Sequence, residues 1–422
     1  MEILKEIPIT YEWSFAEKTR KETSYITHGY YTYPAKFIPQ VAAKIIQDYS
    51  DVGDIVVDPF LGSGTTVVEA LVNKRIGVGV DVNEIAVLLS KVKTTPIDSH
   101  LLSNEYDKLL FNLENDTPVS NDVLRKIVLP ERVDYWFKPH IKENLLIMLG
   151  HILSIGNEDI QEFFLIAFAQ ILKSCSIWLQ KSVKPTRDKN KKDCDPLKKF
   201  KQQTKAMLKK HVEFTQIMLE NEIDVIDKYR IIENSDARKL PCENGEVSLV
   251  VTSPPYVTSY EYADLHQLAS LWLGYLEELS SFRKKFIGSA YTERSTRDLQ
   301  SMLAEKISDD LGNNKKGKGV RNYYADMLES FLEMKRVLKK GGKAAVVIGN
   351  TKMQGVEILN AEVFQEQFEN IGFKTFDIIH REIPSKMLPS TRDPETGRFT
   401  KATNSRKKLV YPTEYIMIME KM

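Results

Sequence analysis

The 422-residue sequence predicts an α/β fold on an open, mostly parallel sheet, because apolar segments of strand length alternate with turns and helical patterns. Residues 55–58 and 75–80 are two such strands, and each leads into a turn and a helical pattern. A third apolar segment, 247–252, ends abruptly at two prolines, which cannot continue a strand. Open α/β sheets bind ligands at the carboxyl ends of their strands. The residues that follow these three strands are therefore the first candidates for a site.

A glycine turn follows the first strand, in the segment Asp58-Pro59-Phe60-Leu61-Gly62-Ser63-Gly64-Thr65-Thr66. Gly62 and Gly64 let the backbone approach a ligand without an intervening Cβ. Thr65 or Thr66 is expected to cap the next helix, whose N-terminal N–H groups favour a carboxylate or a phosphate. No lysine follows Gly64, so the segment is not a phosphate-binding P-loop.

The second strand ends in Asp81, one strand–helix unit beyond the glycines. A carboxylate at this position suits hydrogen bonding to ribose hydroxyls. The structural alternative is an N-cap for a helix over residues 84–91, and the two roles can coexist.

The third strand leads into Ser253-Pro254-Pro255-Tyr256. This tetrapeptide offers a hydroxyl, prolyl carbonyls and an aromatic ring. Together these groups can accept hydrogen bonds from an exocyclic amine while the ring stacks on the flat heterocycle that carries it. The structural alternative is a proline turn that simply ends a core strand.

These segments resemble the amino-methylating DNA methyltransferases, which use S-adenosylmethionine. Residues 58–66 are similar to their cofactor motif, and residues 252–256 are similar to their catalytic motif. Tyr33-Pro34-Ala35-Lys36-Phe37-Ile38-Pro39 resembles the segment that precedes the cofactor strand and packs on the methionine end of the cofactor. The resemblance covers the beginning, the middle and the last quarter of the chain.

The resemblance implies a Rossmann-like methyltransferase sheet with an antiparallel closing strand and a large helical insertion. Segment 1–97 would hold the first half of the sheet with the cofactor motif. Segment 98–230 is largely helical in pattern and would be the insertion, a candidate DNA-recognition region. Segment 231–422 would complete the methyltransferase domain, and its strands 373–381 and 414–420 would form the closing pair. The sequence pattern also predicts strands over 229–233 and 343–348 and helices over 261–276 and 323–338.

The resemblance also implies the residues of the site. Asp236 would reach the adenine amine of the cofactor, although a turn or a helix cap would explain it as well. The expected cofactor-binding residues are Tyr33, Pro34, Ala35, Lys36, Phe37, Asp58, Pro59, Phe60, Gly62, Gly64, Thr65, Thr66, Asp81, Asp236 and Ala237. The expected catalytic residues are Ser253, Pro254, Pro255 and Tyr256. No metal site is expected, because Cys175, Cys194 and Cys242 lack the spacing of metal ligands.

The expected mechanism follows from the electronics of an aromatic amine, whose delocalised lone pair becomes nucleophilic when acceptors hold its protons. The Ser253 hydroxyl and the Pro254 carbonyl would be those acceptors, and Tyr256 would stack on the base. The base must leave the duplex to reach them, so base flipping is implied. The methyl donor is already activated, and much of the rate should come from in-line positioning.

The sequence is therefore interpreted as a cytosine-N4 DNA methyltransferase of restriction-modification type, because serine in the first catalytic position is more typical of that branch. One alternative is adenine-N6 methylation on the same scaffold, where aspartate or asparagine is commoner. Another is guanine-N2 methylation of RNA, since such enzymes also use a Pro-Pro-Tyr motif. The alternative from a different class is a non-catalytic DNA-binding protein with a relict methyltransferase fold.

The expected partner is double-stranded DNA. With 59 Lys+Arg against 58 Asp+Glu, a DNA-binding surface requires an uneven distribution of charge, and basic residues cluster over 181–210 and 386–408. Within the second cluster, Arg392, Arg398 and Arg406 are candidates for reading guanine. A cognate restriction endonuclease would act in the same system without a stable complex.

A reduced, cytoplasmic location is expected from the odd and widely spaced cysteines. The N-terminus lacks the pattern of a secretion signal, and the sequence contains no apolar run long enough to cross a bilayer, so no membrane association is expected.

Overall fold

The structure, a computed structural model, describes residues 4–34, 36–257, 262–276, 283, 286–288, 298–384, 391–392, 408–409 and 412–422. Its strands are β1 (Ile55–Asp58), β2 (Ile76–Asp81), β3 (Arg230–Asn234), β4 (Val247–Thr252), β5 (Leu338–Ile348), β6 (Thr351–Met353), β7 (Val356–Ile358), β8 (Phe373–Glu382), β9 (Thr391–Arg392), β10 (Lys408–Leu409) and β11 (Thr413–Lys421).

A seven-stranded sheet forms the centre of the protein, in the order β3-β2-β1-β4-β5-β11-β8. Strands β3, β2, β1, β4 and β5 pair in parallel, whereas β11 is antiparallel to both β5 and β8. The predicted α/β fold, with a Rossmann-like sheet and an antiparallel closing strand, is confirmed. The predicted pairing of the last two strands is confirmed as well, since Glu414 lies opposite Arg381 in the β11–β8 ladder.

The central strands β1 and β4 are mostly apolar because both faces of the sheet are covered. All six residues of β4 are buried. Its Val250 belongs to the core on one face of the sheet, and its neighbours Leu249 and Val251 belong to the core on the other. This alternation follows from the two-residue period of a strand.

The α-helices lie on the faces of the sheet and in the insertion between β2 and β3. They are α1 (Pro39–Tyr49), α2 (Thr65–Val72), α3 (Glu84–Thr94), α4 (Ser99–Glu114), α5 (Asn121–Lys126), α6 (Arg132–Trp136), α7 (Pro139–Leu153), α8 (Glu158–Cys175), α9 (Pro196–Glu220), α10 (Tyr262–Leu265), α11 (Gln267–Trp272), α12 (Met302–Leu311), α13 (Lys315–Val337) and α14 (Asn360–Asn370). Short 3₁₀ helices occupy Leu4–Glu6, Tyr11–Trp13, Glu22–Ser24, Ile26–Gly29 and Ile226–Lys228.

The helical insertion expected between β2 and β3 is present as helices α4 to α9. Its largest buried side chains include Trp136, Phe163 and Phe168. The same hydrophobic core contains Leu89 of α3 and Trp272 of α11, so the insertion shares a core with helices that flank the sheet. The division into segments 1–97, 98–230 and 231–422 stays a prediction.

Several element boundaries differ from those expected. The helix predicted over 261–276 is interrupted at His266, between α10 and α11. The helix predicted to begin at Tyr323 begins earlier, at Lys315. Strand β5 begins at Leu338 rather than at Lys343. Most of the basic segment 386–408, including the side chains of Arg392, Arg398 and Arg406, lies outside the described residues, as does Ala35.

The packing of α2 against β2 depends on a glycine in the strand. A Cβ at Gly77 would lie 2.8 Å from Val67 Cγ1 and 3.2 Å from the Val67 carbonyl oxygen. Because backbone as well as side-chain atoms would be too close, the helix would have to move away from the sheet.

We predict that Gly77→Ala lowers the free energy of unfolding by about 1–3 kcal/mol, the usual cost of overpacking a core. Gly156→Ala is the matched control, because no atom lies within 4 Å of its Cβ position. Urea unfolding of both variants measures the difference. Equal midpoints for the two would contradict a close α2–β2 contact.

Candidate active site

A pocket of about 830 Å³, including the part open to solvent, lies at the carboxyl ends of β1, β2, β3 and β4. Its lining residues are Tyr33, Lys36, Phe37, Asp58, Pro59, Phe60, Leu61, Gly62, Ser63, Thr65, Asp81, Val82, Ser235, Asp236, Ala237, Ser253, Pro255, Phe286 and Ile287.

The pocket brings together most residues of both predicted motifs. Of the predicted site residues, Pro34, Gly64, Thr66, Pro254 and Tyr256 are absent from the described lining, and Ala35 lies outside the described residues. Gly64, in the glycine turn, and Thr66, in the first turn of α2, lie directly behind the lining. The cofactor-binding and catalytic roles of these residues stay predictions, but most of the residues line one cavity.

Asp58 is the buried centre of the site, with a side chain at the end of β1. Its Oδ1 accepts hydrogen bonds from the Thr252 hydroxyl at 2.6 Å and the Phe60 backbone N–H at 3.0 Å. Its Oδ2 accepts one from the Thr66 hydroxyl at 2.8 Å. Burial raises the pKa of Asp58 to about 6, against the opposing effect of these three donors.

The raised pKa has a consequence for folding. The folded state binds a proton at Asp58 more tightly than the unfolded chain does. The contribution of this group to stability is therefore greatest below about pH 4 and is lost as the pH rises through about 6.

The glycine turn has the left-handed backbone that its glycines predict. Gly62 has φ +49° and Gly64 has φ +71°. A Cβ at Gly64 would lie 2.5 Å from the Ser90 hydroxyl of α3, so this position also permits close packing between the turn and that helix. The prediction that Thr65 or Thr66 caps α2 is wrong. Gly64 is the N-cap and has no side chain with which to cap the helix, and the Thr66 hydroxyl is engaged with Asp58.

Asp81 lies at the end of β2, beside the glycine turn. Its Oδ2 accepts a hydrogen bond from the Gly62 N–H, and its Oδ1 accepts one from the Asn83 N–H, both at 2.9 Å. Burial raises the pKa of Asp81 to about 6, and the nearby charge of Asp58 adds to the rise. The N-cap of α3 is Asn83, whose side chain accepts from the Ile85 N–H, so Asp81 is not the cap.

Asp236 lines the pocket from the turn after β3. Its Oδ1 accepts from the Arg238 Nε at 2.8 Å, and its Oδ2 accepts from the Arg238 Nη2 at 2.5 Å. Arg238 also pairs with buried Asp326 at 3.0 Å. The turn expected as an alternative is present, and it holds the carboxylate at the wall of the pocket.

The lining of the pocket also carries a cation that is partly buried. The Lys36 ammonium donates to the carbonyl of His28 at 2.9 Å, and burial lowers its pKa to about 8, with a further contribution from Lys210. No carboxylate forms an ion pair with Lys36 among the described residues. Tyr33 lies beside it in the lining and stacks on His266, with ring centroids 4.4 Å apart.

A second buried cation lies behind the turn. Lys93 donates to the Ser63 carbonyl, and burial lowers its pKa well below the usual value. The nearby Glu69 Oε1 accepts a hydrogen bond from the Tyr25 hydroxyl at 2.5 Å and lies 2.6 Å from His28 Nε2. Burial raises the pKa of Glu69 to about 8.

The predicted catalytic segment, Ser253-Pro254-Pro255-Tyr256, continues directly from β4. Ser253 and Pro255 line the pocket beside Asp58, whereas Pro254 is buried. The Tyr256 hydroxyl donates to Glu414 Oε2 at 3.1 Å. The segment is thus positioned by Thr252 at one end and by Tyr256 at the other.

Some residues of the site are not recognisable from the sequence. Leu61, Ser63, Val82 and Ser235 adjoin predicted positions, and the same motifs could have included them. Phe286 and Ile287 come from a polar region with no recognisable motif, and no signal in the sequence marks them. Glu414 is recognisable only as the start of a strand.

Metal-ligating clusters and membrane-spanning helices are both absent from the described parts of the chain. Within the ranges given above, no group of three or more His, Cys, Asp or Glu residues could hold a metal ion. The helices of those ranges include none that is long and apolar enough to cross a membrane.

Curated relatives match this chain over most of its length. The type II methyltransferase M.MvaI of Kocuria varians is 27% identical over 409 residues, which cover 88% of this chain and 87% of the relative. The type II methyltransferase M.MjaII of Methanocaldococcus jannaschii is 23% identical, over 91% of this chain and 81% of the relative. The type II methyltransferase M.BsoBI of Geobacillus stearothermophilus is 22% identical, over 83% and 79%.

The sequence profile of the DNA methylase family, which comprises N6 and N4 methyltransferases, matches residues 5–91 and 247–422. These ranges make up more than half of the chain, and they contain the glycine turn, Asp81 and the Ser-Pro-Pro-Tyr segment around the pocket. The chain belongs to this family of amino-methylating DNA methylases.

Proposed function

We propose that this DNA methylase transfers a methyl group from S-adenosylmethionine to the N4 amine of cytosine in duplex DNA, within a restriction-modification system. The observation that supports it most is one cavity lined by the glycine turn, Asp81 and Ser253. The type II names of its relatives favour the biological role. The proposed setting is the cytoplasm, with a restriction endonuclease acting on the same DNA but not bound stably to this chain.

The charges of the pocket fit the proposed cofactor. Asp81 offers a carboxylate to the ribose hydroxyls, and Asp236 offers one to the adenine amine. The Lys36 ammonium lines the same pocket, without an ion pair to a described carboxylate, and suits the carboxylate of the methionine end. When bound, S-adenosylmethionine supplies a methyl group that is activated by the sulfonium charge.

The remaining chemistry belongs to residues of this chain. The Ser253 hydroxyl and the Pro254 carbonyl would accept hydrogen bonds from the target amine, so that its lone pair becomes available. Tyr256 would stack on the flipped base. Asp58 fixes the start of this segment through Thr252, which maintains the alignment that in-line transfer needs.

The choice of cytosine over adenine depends on Ser253, whose neutral hydroxyl replaces the aspartate or asparagine that is commoner in adenine enzymes. Adenine-N6 methylation is the second candidate, because the same family includes both reactions.

A surface for DNA is proposed on the insertion, along α9 and the segment before it. Exposed cations in this region are Lys181, Lys184, Arg187, Lys189, Lys192, Lys198, Lys199, Lys205 and Lys209. Only three acidic residues oppose them within 181–210, and each has a hydrogen-bond or ion-pair partner. Asp193 binds Lys138 and His140, Asp195 caps α9, and Asp188 accepts from the Asn190 N–H. The surface is therefore more basic than the overall composition indicates.

We predict that Asp81→Asn weakens S-adenosylmethionine binding by about 1.5–3 kcal/mol, because a charged acceptor is removed. Wild-type affinity should rise from pH 5 to pH 7, as a carboxyl with a pKa of about 6 ionises, and the variant should lack this rise. Calorimetry across that pH range measures both effects. Asp54→Asn, at the opposite end of β1, is the control. Unchanged affinity in a folded Asp81 variant would remove this residue from the site.

We predict that changing Lys198, Lys205 and Lys209 together to Gln weakens duplex binding and flattens its salt dependence. These residues are spaced by seven and four positions and share one face of α9. The slope should fall by roughly 0.9 for each DNA phosphate that the variant no longer neutralises. Anisotropy of labelled duplex at several salt concentrations provides the measurement.

The control for that experiment is a triple Gln variant of Lys5, Lys44 and Lys339, which are each paired with an acidic residue far from α9 in sequence. It removes the same charge from the protein. Equal slopes in both triple variants would mean that α9 is an ordinary solvated surface, and the cluster at 386–408 would become the candidate.

We predict N4-methylcytosine as the product on DNA, with a requirement for Ser253 and Tyr256. Tyr256→Ala should reduce activity by roughly 1–3 kcal/mol, because the stacking on the base is removed. Ser253→Ala should slow methyl transfer more than it weakens cofactor binding. Mass spectrometry of nucleosides from treated DNA identifies the base. N6-methyladenine alone would reject the cytosine assignment, and methylated tRNA beside unmodified DNA would reject the substrate class.

A further inference from the structure

Tyr256 is held by a buried ion pair that lies on two other strands. Its hydroxyl donates to Glu414 Oε2 at 3.1 Å, and Glu414, near the start of β11, is 8% exposed. The other oxygen of Glu414 accepts from Arg381 Nη1 at 2.7 Å. Arg381 lies on β8 and is 2% exposed. A charge-assisted bond in such surroundings gives the Glu414 carboxylate a fixed position.

The strand register explains why these residues meet. Glu414 and Arg381 are direct neighbours in the antiparallel ladder between β11 and β8. Arg381 Nη2 also lies 3.4 Å from the carbonyl of Ser14, which links the pair to the N-terminal segment. The carboxylate therefore faces the catalytic segment because of where the closing strand pairs.

Gly349 provides a second constraint on the same ring. It directly follows β5, and a Cβ there would lie 3.3 Å from Tyr256 Cε2 and 3.7 Å from the Tyr256 hydroxyl oxygen. The tyrosine ring thus packs against bare backbone at this position. A methyl group would force it to move by a few tenths of an ångström.

We propose that Glu414, Arg381 and Gly349 are positioning residues that set the orientation of the Tyr256 ring for stacking on the target base. This inference rests on the proposed function, in which Tyr256 contacts the base. Glu414 acts as a hydrogen-bond acceptor, Arg381 holds the carboxylate, and Gly349 leaves room for the ring. None of the three lines the described pocket, so none is required to bind the methyl donor.

The test compares variants by the kcat of methylation of duplex DNA and by calorimetry with S-adenosylmethionine. Tyr256→Phe keeps the ring and removes its bond to Glu414, without disturbing the buried ion pair. It should lower kcat about 10-fold, the effect of removing one hydrogen bond, while cofactor affinity stays unchanged. Tyr256→Ala should lower kcat further, because it removes the ring itself.

Glu414→Gln is the conservative variant. Its amide oxygen can accept from Arg381 while its amide group donates to the tyrosine oxygen, so it should retain most of the wild-type kcat. Glu414→Ala should behave like Tyr256→Phe, and the two changes combined should lower kcat no further than either alone. A residue that only supported the fold would not show this non-additivity.

Gly349→Ala tests the second constraint and leaves every hydrogen-bonding group in place. It should lower kcat without changing cofactor affinity. If Glu414→Ala does not fold, Tyr256→Phe and Gly349→Ala still test the inference. Wild-type kcat in both Tyr256→Phe and Gly349→Ala would overturn the inference while the proposed function stands. A wild-type protein that methylates no DNA would overturn the proposed function, and the inference with it.

Discussion

The site depends first on the buried carboxylate of Asp58. It accepts hydrogen bonds from three separate elements: Phe60 in the glycine turn, Thr66 in the first turn of α2 and Thr252 at the end of β4. Thr252 directly precedes the proposed catalytic segment, so one side chain fixes the distance between the proposed cofactor-binding turn and the proposed amine acceptors. In-line methyl transfer is sensitive to changes in this distance. Removing the carboxylate would leave buried donors without partners, which costs more than the bonds themselves stabilise.

Charge is distributed unevenly around the same cavity. Asp81 and Asp236 lie at the ends of β2 and β3, whereas Lys36 lies on the segment before α1. A ligand with hydroxyls and an amine at one end and a carboxylate at the other would therefore bind in one orientation. Burial keeps the pKa of Asp81 near 6 and that of Lys36 near 8, so both groups are largely ionised between these values. The polarity of the pocket is thus greatest near neutral pH.

The sequence was sufficient to predict the seven sheet strands. The inner strands contain apolar runs bounded by glycine, proline or a polar turn, whereas the edge strands β3 and β8 are more polar and more exposed. It also identified most of the residues that line the pocket, since the motifs lie at the carboxyl ends of β1, β2 and β4. Contacts that depend on strand register could not be predicted. Glu414 reaches Tyr256 only because β11 lies between β5 and β8. The threonine cap was predicted wrongly because local propensity cannot show that Asp58 competes for the Thr66 hydroxyl.

The insertion and the catalytic segment are connected by more than the chain between them. Gln267, in the helix that soon follows Tyr256, accepts hydrogen bonds from Arg132 and from the indole N–H of Trp136 in the insertion. Trp136 stacks on Trp178, which lies just before the basic segment 181–210 proposed to contact DNA. Since these side chains share one hydrophobic core, a shift of the basic segment would disturb the packing of α11. Contacts with phosphates on the insertion would therefore hold the duplex at a defined distance from Ser253, which base flipping into this pocket requires.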